Sequence, residues 1–169
     1  MTFRRKLILI IGGITLLLLL FLVWYKVTFS MEPVATYEIN DRNESQKILI
    51  ATQGSEYKND VVKDVVESLR GKTAYIKVID VSLLQDVQPD QWNAIVVLHT
   101  WEIWKPEENA RVFLKKYYSS EKIFVVTTSG SGEEKIEGVD AITGASILKD
   151  VPRHSRGIIS WLELQLPPE

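Results

Sequence analysis

From Leu7 to Trp24 the chain carries no charged residue, and Leu16 to Leu20 is an unbroken run of leucine. Eighteen residues at about 1.5 Å each make a helix of roughly 27 Å, close to the hydrocarbon thickness of a bilayer. Trp24 and Tyr25 stand where an interfacial aromatic belt is expected. Arg4, Arg5 and Lys6 on the other side hold the N-terminus in the cytoplasm. The expected organisation is a cytoplasmic N-terminus over 1–6, a transmembrane helix over 7–25, a tether over 26–46 and a folded domain over 47–169. That domain lies outside the cytoplasm, in the periplasm or at the cell surface. A cleaved signal peptide is the main alternative. Against it, the apolar stretch exceeds the usual length and no small-x-small site follows promptly. Phe3 stands where a twin-arginine signal prefers Ser or Thr. A core helix of a water-soluble protein would show a polar face.

Residues 1–30 hold four cations and no acid, which leaves 16 cations against 22 acids in the remainder. A mildly acidic domain has no electrostatic footprint for nucleic acid. Cysteine is absent, so disulfides, thiol nucleophiles and thiolate-bound metals are excluded. With only His99 and His154, a histidine-built zinc site is not expected either.

Residues 26–46 are polar, interrupted by Pro33, and lack a sustained period. Beyond them the pattern changes. Lys47–Thr52 reads as a buried strand, and Val61, Val62, Val65, Val66 and Leu69 recur at helical spacing before Gly71. Ala74–Val81, Ala94–His99 and Ile123–Thr127 are further strands, and Val139–Thr143 is a weaker fifth. Pro106-Glu107-Glu108 opens a helix whose apolar face is Ala110, Phe113, Leu114 and Tyr117. A last helix is expected from Val151 to Leu164. Strands alternating with helices imply right-handed crossovers and a parallel sheet covered on both faces. The fold class is α/β, a three-layer sandwich on an open five-stranded parallel sheet, preceded by one transmembrane helix.

Polar and small residues collect after the strands: Thr52–Tyr57, His99–Trp104, Thr127–Glu133 and Thr143–Ser146. In a parallel sheet all four segments leave one edge, outside which ligands of open α/β sheets bind. Hydroxyls and glycines there can present N–H groups to an anion. No G-x-S-x-G elbow supports a serine hydrolase, no phosphate-loop signature of nucleotide hydrolases occurs, and no residue is assigned a catalytic role. Lys149, Arg153, His154 and Arg156 crowd the start of the last helix. They are solvated or paired with Glu133, Glu134 or Glu137, or they form a site for an anion or an acidic partner.

At these residues the chain resembles the flavodoxin family. Lys47–Ile50, the Thr/Gly/Ser turn after it and the amphipathic helix resemble the family's first strand, phosphate loop and first helix. Ile76–Val81 and Asn93–Val97 resemble its next two strands. Thr100-Trp101 resembles the loop that sets an aromatic ring against the isoalloxazine of flavin mononucleotide (FMN). The resemblance covers about residues 47–166. It implies FMN held at Thr52, Gly54, Ser55, Thr100, Trp101, Trp104, Ser129 and Ser131, in an electron-transfer protein. Two departures stand out. Gln53 and Glu56 intrude in the family's T-x-T-G-x-T loop, and only some dozen residues separate the fourth strand from the fifth. A carboxylate about 5 Å from a phosphate disfavours it by on the order of 1–3 kcal/mol per phosphate charge. A second resemblance lies in Asp140–Ser146, similar to the motif of extracytoplasmic domains that carry FMN esterified to a threonine hydroxyl. It implies Ser146 as acceptor. The expected function is a membrane-anchored flavodoxin-like module, a docking or accessory subunit of a membrane complex more than a tight FMN binder. An FMN-dependent electron-transfer protein is the alternative.

Overall fold

A computed structural model describes residues 2–29, 31–119 and 121–166. Ser30 and residues 167–169, which the expected tether and domain include, lie outside the described residues. The chain divides into two units, Met1–Met31 and Glu32–Glu169. The first holds α1 (Phe3–Phe29), whose segment Phe3–Tyr25 has a mean hydropathy of 2.9 and is long and apolar enough to cross a membrane.

The second unit is built on β1 (Tyr37–Ile39), β2 (Gln46–Thr52), β3 (Ala74–Asp80), β4 (Ala94–Glu102), β5 (Lys105–Pro106), β6 (Ile123–Thr128) and β7 (Ile142–Gly144). Its helices are α2 (Glu56–Leu69), α3 (Glu108–Tyr117) and α4 (Val151–Gln165). The strand order is β1-β3-β2-β4-β6-β7. All neighbours from β3 to β7 pair in parallel. Counting only these five strands, the order is second, first, third, fourth, fifth, the doubly wound order of flavodoxin-like folds. Chain direction reverses its march across the sheet between β2 and β4.

The central strands are buried on both faces, which is why they read as continuous apolar runs. Ile48, Ile50, Val96, Leu98 and Val126 face α2 and α4, against Val61, Val65, Ile158 and Leu162. Leu49, Ala51, Ile95, Val97 and Val125 face the other way, onto Phe113 and Leu114 of α3 and Leu84. On that second face the β3–β4 crossover is made of 3-10 turns, Val81–Asp86 and Pro89–Gln91. A cavity of about 260 Å³ remains there, lined in part by Leu49, Ile79, Leu83 and Trp92. No helix lies between β6 and β7. Ile136 and Val139 of that connection pack on the sheet instead.

The expected tether is corrected from Glu32 onward. Glu32 N–H donates to Gly54 O (3.1 Å), and Gly54 N–H donates to Glu32 O (2.8 Å). Val34 N–H donates to Asp80 Oδ2 (2.9 Å). β1 then runs antiparallel along β3, pairing Tyr37 with Val78 and Ile39 with Ile76. The cause is the free edge of β3, whose unpaired N–H and C=O groups need partners. Asn40, at φ 64°, ends the strand. Its side-chain amide donates to the carbonyls of Leu69, Lys72 and Ala74. Smaller differences concern boundaries. β4 continues to Glu102, so Thr100 and Trp101 are strand residues. Pro106 belongs to β5, and α3 begins after its N-cap Glu107.

Candidate functional site

β2, β4, β6 and β7 all end at one edge, so the four polar segments converge there as their parallel pairing requires. The crevice between the ends of β2 and β4 is the switch point, where a ligand of such a fold is expected. Gln53 fills it. Its Oε1 accepts from Thr100 N–H (2.7 Å), and its Nε2 donates to Glu102 Oε1 (3.2 Å). Both bonds bridge the two strand ends.

In the loop after β2 the hydroxyl oxygens of Thr52 and Ser55 and the N–H of Gly54 have partners within the chain. Thr52 Oγ1 donates to Gln53 O (3.1 Å). Gly54 N–H is bonded to Glu32, whose carbonyl oxygen stands 2.4 Å from where a Cβ on Gly54 would sit. Ser55 Oγ accepts from Lys58 N–H (3.2 Å) as N-cap of α2. Thr52, Gln53 and Gly54 are buried, and Glu56 opens α2 as an exposed acid at the positive end of its dipole. A phosphate would have to displace Glu32 from Gly54. As arranged, these residues do not fit the phosphate of FMN.

Lys58 is fully buried, and its ammonium donates to Thr100 Oγ1. Thr100 Oγ1 in turn lies 2.9 Å from Thr128 Oγ1, where either hydroxyl can donate. Burial pushes the Lys58 pKa down to about 8, while the nearby Glu102 carboxylate favours the cation. On the opposite face, His99 Nε2 lies 3.0 Å from Thr127 Oγ1. Its pKa is pushed down to about 4 by burial, with Lys58 adding in the same direction, so the ring is neutral near pH 7. His99 Nδ1 and Trp101 Nε1 are buried without a hydrogen-bond partner.

The other expected residues fall at the same edge with different neighbours. Ser129 Oγ accepts from Gly132 N–H (2.9 Å), and Ser131 Oγ accepts from Glu133 N–H (3.2 Å), closing the loop on itself. Trp104 is 92% exposed at the tip of the β4–β5 hairpin. Ser146 is exposed after β7. Of the cations near α4, Lys149, Arg153 and Arg156 are exposed, whereas His154 is buried and bonded through Nδ1 to the Tyr57 hydroxyl.

Sequence reasoning did not single out Lys58, yet the signal was there. Positions 58, 61, 62, 65, 66 and 69 share one helical face, and a cation stands at the head of that apolar stripe. Gln53 was visible only as an intruder, because the bridge it makes depends on β4 extending past His99.

No family model matches the chain, and no curated protein does. Among solved structures it is similar to a flavodoxin from the domain Archaea, at 15% identity and a TM-score of 0.48, over 71% of this chain and 99% of that one. It is similar also to oxidised Flavodoxin 2 from Bacillus cereus, at 14% identity and a TM-score of 0.47, over 70% and 99%. The fold is flavodoxin-like by its own strand order, and these likenesses add nothing about the site.

Proposed function

We propose that this protein is a single-pass, membrane-anchored, extracytoplasmic flavodoxin-like module that serves as a docking or accessory subunit. The observation that carries the reading is the engagement of the loop after β2. Its Gly54 amide is bonded to Glu32, its hydroxyls are turned to the chain, and Gln53 occupies the switch-point crevice. A fold that keeps the cofactor's scaffold but closes the cofactor's cradle is suited to contact with a partner. The apolar span Phe3–Tyr25, with three cations before Leu7, supports the anchor and its orientation.

One feature favours FMN-dependent electron transfer as a second reading. Lys58 is a buried cation beside the same crevice, positioned to neutralise an anion there. Esterification to Ser146 is a remoter form of that reading, supported by the hydroxyl's exposure.

The test is an FMN titration of the full chain in detergent at fixed salt, followed by flavin fluorescence. Wild-type protein is expected to leave the fluorescence unchanged. Glu56→Thr removes a carboxylate from the mouth of the loop and is expected to gain at most weak binding, because Glu32 still holds Gly54. Protein that purifies yellow and releases its flavin in acid would favour the electron-transfer reading. Flavin retained through denaturation would point to Ser146.

A further inference from the structure

The crossover from β3 to β4 leaves a space that its own side chains do not fill. Two 3-10 turns make that crossover, Val81–Asp86 and Pro89–Gln91, and the first is longer than such turns usually run. An α-helix would lay a continuous apolar stripe on the sheet. The first turn instead buries Val81 and Leu84, and about 260 Å³ stays open beside them. Protein interiors rarely leave voids much larger than a water molecule. Nor is this the looseness of a free loop. Asp80 caps the first turn by accepting from Ser82 N–H (2.9 Å), and it also accepts from Val34 N–H (2.9 Å). At the far end Asn93 N–H donates to Lys47 O (2.8 Å), and Asn93 Oδ1 accepts from Lys47 N–H (2.8 Å). The crossover is held at both ends.

The lining has two parts. Ile79, Leu83 and Trp92 are apolar, and Leu83 is 41% exposed. Trp92 is stacked on Tyr75, with ring centroids 6.2 Å apart and planes at 18°, which fixes its indole in place. Lys77 and Asp86 bring opposite charges to the same cavity. Lys77 Nζ lies 3.9 Å from Glu38 Oε1, too far for a hydrogen bond, and Arg42 holds the other oxygen of that carboxylate. Among the described residues the Asp86 carboxylate has neither an ion pair nor a hydrogen bond.

We propose that this cavity binds a small zwitterion with an aromatic ring, the chemistry of an aromatic amino acid. The ring rests against Trp92, Ile79 and Leu83, the carboxylate meets Lys77, and the ammonium meets Asp86. The size agrees. An apolar cavity of about 150 Å³ takes up benzene, so about 260 Å³ has room for a ring and a short charged arm. A ring against an indole gains more than its burial alone. Two opposite charges in one small cavity also select, because a molecule carrying a single charge is repelled by one of them. The site lies within the folded domain, apart from the switch-point crevice, and depends neither on the anchor nor on FMN.

Titrating L-phenylalanine into the full chain in phosphatidylcholine nanodiscs tests it, with tryptophan excited where phenylalanine does not absorb. Subtracting the emission of Trp92→Phe from that of the wild type isolates Trp92 from the other four tryptophans. That emission is expected to change saturably, and the thermal unfolding midpoint of the domain to rise with ligand concentration. Benzoate and phenethylamine, with one charge each, are expected to bind at least tenfold more weakly. Asp86→Asn removes a charge at an exposed position that has no bond to lose. It is expected to weaken L-phenylalanine at least fivefold and to improve benzoate, since the repelling carboxylate is gone. L-phenylalanine that changes neither the Trp92 emission nor the unfolding midpoint would overturn the site. Benzoate that binds the wild type as tightly as L-phenylalanine would overturn the zwitterion as its ligand.

Discussion

Gly54→Val is expected to lower the unfolding free energy by about 3–5 kcal/mol and to release the segment that follows α1. The Glu32 carbonyl oxygen stands 2.4 Å from the position of the new Cβ. The obstacle is backbone, so no side-chain rotation relieves it. Overpacking at a closed contact destabilises by about 1–3 kcal/mol. The two backbone hydrogen bonds between Glu32 and Gly54 would be lost as well, each a net contribution of about 1 kcal/mol. Chemical denaturation reads the stability, and limited proteolysis between Met31 and Tyr37 reads the release. A variant as stable and as protease-resistant as the wild type would show that Glu32 does not close over the loop.

Lys58→Met is expected to stabilise the domain at pH 7 by about 2 kcal/mol and to flatten its pH profile. Burial holds the folded pKa near 8, against 10.5 for an unperturbed lysine. The depressed value means that burial disfavours the charged form. At neutral pH the folded state therefore carries a penalty on the order of 3 kcal/mol, at about 1.4 kcal/mol per pH unit. Removing the charge relieves it, less about 1 kcal/mol for the bond lost at Thr100. The sign with pH follows. Below the folded pKa both states hold the proton and the penalty is constant. Between the folded and unfolded values the unfolded chain binds more protons, so wild-type stability rises with pH, by on the order of 2 kcal/mol from about pH 7.5 to about pH 9.5. The raised pKa values of Tyr37, Tyr57 and Tyr75 act in the opposite sense only at higher pH. Urea midpoints across that range, wild type against variant, decide the matter. A wild-type profile as flat as that of the variant would contradict the burial of a charged Lys58.

The fold was legible because its signal is periodic. Buried parallel strands appear as apolar runs, and α2 shows its face through a regular spacing of valines that outweighs their poor helix propensity. The edge strand was not legible. Tyr37-Glu38-Ile39 is too short for alternation to register, and what orders it is the exposed rim of β3, forty residues away in sequence. The convergence of the polar loops on one edge followed from parallel pairing alone. Their chemistry did not, because each residue type suits two tasks. Ser55 is as good an N-cap as a phosphate ligand, and Gln53 is unremarkable until Thr100 and Glu102 stand opposite it. The positive φ of Ile103 and Trp104 was invisible, since neither residue type announces a turn.

Glu32 pairs with Gly54 in the loop on which FMN would rest. Amide hydrogen exchange across residues 51–58 of the full-length protein, with and without excess FMN, tests it most directly. Slow exchange is expected at Gly54, where the N–H is bonded to Glu32, with no change when FMN is added. Rapid exchange that becomes slow on adding FMN would contradict it, because it would reveal an open cradle that the cofactor closes.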